Sequence, residues 1–208
     1  MKQGEVPVVK YNQVVVEGVP EDGIVDYAKD KAPRLIVMGT RGAEKKQNEM
    51  IGSVTAEVLD EGRFTVLTVP EPLDIVVSLK PSRILFLGNL DQDDVLAIDT
   101  LYRLYGDSEA SVTIMHTPKK RRFSDKSAET AMTRLSEYCR INFKQYHFAT
   151  TPVQESDSDS VLSQLQQEHF DLIAVPNRRR NAFSRLFNPG LAHKLLSQTD
   201  IPLLVIPV

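Results

Sequence analysis

The sequence predicts an α/β protein built on a doubly wound, parallel sheet with helices on both faces. Three observations carry this expectation. Short apolar runs, Leu35-Ile36-Val37-Met38, Ile84-Leu85-Phe86-Leu87, Leu172-Ile173-Ala174-Val175 and Leu203-Leu204-Val205-Ile206, lack polar alternation, as strands covered on both faces do. Amphipathic helical stretches separate them and are long enough to serve as crossovers between parallel strands. A shift of 137 positions, which takes Pro70 onto Pro207, also pairs Leu35 with Leu172, Ile36 with Ile173, Arg41 with Arg178, Leu59 with Leu196 and Leu67 with Leu204. Strand, long loop, helix and strand thus recur in register, as two copies of one unit would.

In chain order, the first strand candidates are Gln13–Val16, Leu35–Met38 and Thr65–Val69, with helices after the first and second. The stretch from Glu71-Pro72-Leu73-Asp74 to Lys80-Pro81-Ser82 is flanked by prolines and has no helical pattern, which places a boundary there. Beyond it the pattern predicts strand 83–88, helix 91–105, strand 111–116, a helix around 126–144, strand 146–150, helix 158–169, strand 171–175, helix 189–198 and strand 202–207. In the helix over 91–105, Val95, Ile98, Leu101, Tyr102 and Tyr105 recur at helical spacing, Asp91 stands as N-cap, and Gly106 ends the pattern. The outcome is a partial unit over residues 1–75 and a complete five-stranded unit over residues 80–208, with strand order 3-2-1-4-5 expected for the complete one. The partial unit has no room for the two strands and two helices that precede the repeat in the second.

Composition narrows the function classes. Apolar residues make up 41% of the 208 and charged residues 25%, near globular averages, and no apolar run approaches the roughly 18 residues of a membrane span. Twenty-five basic residues against 28 acidic ones leave a net charge of −3, which argues against a nucleic-acid phosphate backbone as partner. The single Cys139 excludes an intrachain disulfide, and MKQGEVPVV lacks the apolar core of a secretory signal, so a cytoplasmic setting is expected. Cys139 shares a helical face with Met132, Leu135 and Phe143 and reads as a core thiol. His116, His147, His169 and His193 have no metal-ligand spacing. No Ser-His-Asp order, paired catalytic carboxylates or G-x-S-x-G elbow is present, so no catalytic residues are assigned.

One motif carries chemistry. Gly39-Thr40-Arg41-Gly42 is followed after nine residues by Gly52-Ser53, between a strand and a helix. Gly39 and Gly42 lack a Cβ, so the loop can take positive φ angles and let phosphates approach backbone N–H groups, while Gly52 and Ser53 add N–H groups and a hydroxyl at a helix start. Arg41, Lys45 and Lys46 add positive charge. This G-x-x-G, nine residues, G-[S/T] pattern resembles the universal stress protein family, whose nucleotide-binding members carry it after their fourth strand. Glu17-Gly18-Val19-Pro20 and Ile24 are similar to that family's approach to its third helix.

The resemblance implies ATP at Gly39, Arg41, Gly42, Gly52 and Ser53. It also implies an incomplete pocket, because the family's adenine and ribose sit against the first and second strands, which the first half lacks. ATP binding is therefore expected to be weak, with the loop vestigial or partial. In the second half the glycine positions map to Pro176, Arg179 and Pro189, with Ser53 mapping to Gly190, and proline offers no N–H. That half resembles the family's branch that does not bind nucleotide. It has instead Arg178, Arg179 and Arg180 directly after a strand, on the rim where Asp91, Asp93 and Asp94 follow another, and this rim is either a site for a small anion or acidic protein partner or a self-neutralised surface.

The reading is a tandem universal stress protein with a truncated first domain, acting as a stress-linked binding or regulatory protein and forming a homo-oligomer through its sheet edges. Its alternatives are a nucleotide hydrolase or transferase of the same α/β type and a purely structural dimerisation module.

Overall fold

The computed structural model describes residues 10–40, 52–70, 80–106, 109–116, 125–152, 165, 168–177 and 200–208. Its elements are α1 (Pro20–Lys31), β1 (Ile36–Gly39), α2 (Ser53–Glu61), β2 (Val66–Val69), β3 (Arg83–Gly88), α3 (Gln92–Tyr105), β4 (Ala110–His116), α4 (Asp125–Asn142), β5 (Tyr146–Pro152), β6 (Leu172–Asn177) and β7 (Leu203–Pro207). The strands form one seven-stranded sheet in the order β1-β2-β7-β6-β3-β4-β5. All neighbours run parallel except β2 and β7. The last five strands therefore stand in the order 3-2-1-4-5, winding outward both ways from β3 and β6.

The helices start and stop where backbone chemistry allows. Pro20 opens α1 with φ already preset, Glu21 and Asp22 follow in its first turn, and Lys29 and Lys31 lie in its last, all favourable to the helix dipole. Asp91 caps α3 as expected, accepting the Asp93 amide at 3.2 Å. Gly106 ends that helix with right-handed backbone, φ −63°. Glycine is needed there because a Cβ would collide with the Tyr102 carbonyl.

Alternate residues of each strand feed two cores. Ile84, Phe86, Ala174, Leu204 and Ile206 join α3 and α4 on one face, and Leu85, Ile173, Val175, Leu203 and Val205 join Val58 and Leu59 of α2 on the other. Full burial contributes about 1.5–3 kcal/mol for each large apolar side chain, so these layers dominate the stability.

Two features depart from the sequence pattern. Gln13–Val16 is no strand: residues 10–17 have no ladder partner, and Val15 is 95% exposed. Three consecutive valines favour extended backbone, but a strand exists only beside another strand. The helix expected over 158–169 is helical at Leu165 and not at Glu168 or His169. Most of it, the helix over 189–198 and residues 71–79 of the proposed boundary lie outside the described residues.

The ladders on the two sides of the β2–β7 junction agree at the offset of 137. Ile36↔Val66, Val37↔Leu67, Met38↔Thr68 and Gly39↔Val69 become, under the shift of 137, Ile173↔Leu203, Ala174↔Leu204, Val175↔Val205 and Pro176↔Ile206, and those are the observed pairs. The Ile36 amide donates to Thr65 O at 2.9 Å, and Ile173 donates to Pro202 O at 3.0 Å. The antiparallel β2–β7 junction pairs Leu67 with Leu204, flanked by Val66↔Val205 and Thr68↔Leu203. Residues equivalent in the repeat thus face each other across a local pseudo-twofold axis.

Candidate phosphate loop

The glycine motif begins where β1 ends. Gly39 closes the strand, and its backbone is extended: among the described glycines only Gly18 and Gly62 have positive φ. The positive φ expected at Gly39 is not used, because the residue still belongs to the β1–β2 ladder. Thr40, buried, donates its amide to Val69 O at 3.0 Å and accepts the Gly52 amide at 2.8 Å. These bonds bring the two ends of the 41–51 segment together. They also take up the Gly52 N–H that the spacing alone offers to a ligand.

Helix α2 begins directly after Gly52, whose φ of −59° and ψ of 142° are those of an N-cap without a side chain. Its first turn carries no acidic residue, so nothing in that turn neutralises the positive end of the helix. Thr55, buried in this turn, donates its hydroxyl to Gly39 O at 2.9 Å and ties the helix start to the strand end. Sequence reasoning missed Thr55; its signal was its place two residues beyond Ser53, one helical turn above the strand. Gly39, Gly52 and the Ser53 backbone are thereby gathered at one point of the sheet rim. Arg41, Gly42, Lys45 and Lys46 lie outside the described residues.

The corresponding point of the second half is built differently. Pro176 has no N–H, and Asn177, in the position of Thr40, is buried. Its side-chain amide donates to Leu59 O in α2 at 3.2 Å, while its main-chain carbonyl accepts the Val208 amide at 3.0 Å. Asn177 thus fastens the second half to a helix of the first. Arg178, Arg179 and Arg180 lie outside the described residues.

The acidic residues beside this rim have defined tasks. Asp94 is fully buried, and its Oδ2 accepts the amides of Asn89 at 2.8 Å and Leu90 at 2.6 Å, holding Leu90 in left-handed backbone at φ 61°. Gly88 leaves room for it, since a Cβ there would come within 2.7 Å of that oxygen. His116, paired with Gly88 in the ladder, places Nδ1 3.2 Å from Gly88 O. Burial pushes its pKa down, against the raising effects of that carbonyl and of Asp91.

Residues 2–70 match the model of the universal stress protein family. Over this segment the chain is similar to the universal stress protein family. Two universal stress proteins of Methanocaldococcus jannaschii are similar to it. MJ0531 is 39% identical over 64 residues, which are 31% of this chain and 38% of that protein. MJ0577 is 33% identical over 60 residues, 29% of this chain and 37% of that protein. The match thus spans less than two fifths of the length of either relative. A universal stress protein structure from Archaeoglobus fulgidus superposes with a TM-score of 0.65 at 16% identity, over 90% of this chain and 66% of that one. A Pseudomonas aeruginosa protein of unknown function superposes at 0.56 with 13% identity, over 92% and 68%. These superpositions show a shared α/β fold that reaches beyond the residues the family model matches. Among the described residues no helix is long and apolar enough to cross a membrane.

Proposed function

We propose that this chain is a stress-linked, non-catalytic binding protein whose Gly39–Ser53 segment holds the phosphates of ATP weakly, and which works in the cytoplasm. The observation that carries the reading is the junction of Gly39, Thr40, Gly52 and Thr55, which sets the uncharged, uncapped start of α2 at the end of a strand. Helix starts of this kind attract phosphate through their N–H groups and dipole. Weakness follows from the neighbourhood: β1 is an edge strand, so no described strand stands beside it where adenine and ribose would be held. In this reading residues 1–75 are a partial copy and residues 80–208 a complete copy without a glycine loop. Arg178, Arg179 and Arg180 of the second copy would take a small anion or an acidic protein partner.

Calorimetric titration tests the nucleotide reading. ATP is expected to bind no more tightly than about millimolar, roughly −4 kcal/mol. Gly42→Val should abolish what binding there is, because a β-branched side chain obstructs the loop. A low-micromolar dissociation constant, or binding unchanged in Gly42→Val, would refute it. The proposal includes a homo-oligomer formed through sheet edges.

A further inference from the structure

We draw no further inference here: the strongest candidate, the buried Asn177 side chain at the end of β6, whose Oδ1 has no hydrogen-bond partner among the described residues, carries none because residues 178–199 that follow it lie outside them and nothing in the structure shows what group would donate to that oxygen.

Discussion

Strands β1 and β6 hold the same register against β2 and β7, yet β6 is buried at all six residues while β1 alternates between half-buried and exposed. Both are runs of apolar residues of similar β propensity. What differs is the other neighbour. β6 has β3 beside it and α3 packed over it, whereas among the described residues β1 has a strand on one side only. Burial is thus conferred by neighbours: an apolar run that is fully buried in β6 is only half-buried at Ile36 and Met38 in β1, and exposed at Val37.

The largest expected effect tests this contrast directly. Ile173 is 1% exposed and Ile36, its repeat equivalent, is half-buried. Ile173→Ala should cost about 2–5 kcal/mol in urea unfolding, and Ile36→Ala clearly less, because only the first leaves a closed cavity. Equal costs would mean that β1 is as fully covered in solution as β6, which would break the comparison.

A second test concerns how β3 and β6 are held together. Asp171 accepts the Ser82 amide at 2.8 Å, the Ser82 hydroxyl at 2.7 Å and the Arg83 amide at 3.0 Å, clamping the start of β6 to the start of β3. Burial pulls its carboxyl upward, but the Ser82 hydroxyl and amide, the Arg83 amide and the Arg83 charge together outweigh that, so its pKa lies below the ordinary 3.8. A carboxylate with a lowered folded pKa stabilises fully above its unfolded pKa, and that contribution is lost as pH falls through the folded one. Asp171→Ala should therefore destabilise by about 1–2 kcal/mol at neutral pH, the modest end for a charged acceptor because the site is exposed. The difference from wild type should shrink in melts run below about pH 4. A difference independent of pH would remove the ionised carboxylate from the clamp.

The smallest effect sharpens the comparison from the core beside β6. Cys139 is fully buried, and burial, with the Asp94 charge second, pushes its thiol up to about 12. Ellman's reagent should leave it unlabelled in native protein and label it as the fold opens in urea, so its rate reports opening of the second half. In Val37→Lys that rate should be unchanged. Faster labelling would show that the β1 edge supports the distant half.

Legibility followed the same line between local and distant causes. The helix over 91–105 could be read with its cap because Asp91 and the apolar spacing are neighbours in sequence. The runs at 84–87, 172–175 and 203–206 were legible as buried strands because continuous apolar residues can be accommodated only where both faces are covered. Gln13–Val16 looked equally extended and lacks a partner. In the site, Gly39, Gly52 and Ser53 were visible from spacing, but Thr55 and the closure of Gly52 onto Thr40 were not, since they depend on how the helix start meets the strand end. Asp171 and Asn177 were missed because their partners, Ser82 and Leu59, lie 89 and 118 positions away.

By itself the sequence determined the order and type of the main elements, the matching residues 137 positions apart and the glycine motif, all of which rest on residues close together or on a comparison of the chain with itself. The tertiary structure decided that the two halves share one sheet through β2 and β7, that Gly52 is spent on Thr40, and that β1 stands at the edge. Those outcomes depend on which distant backbone supplies the second row of hydrogen bonds to each strand, and an apolar run demands such a neighbour without specifying which one it will be.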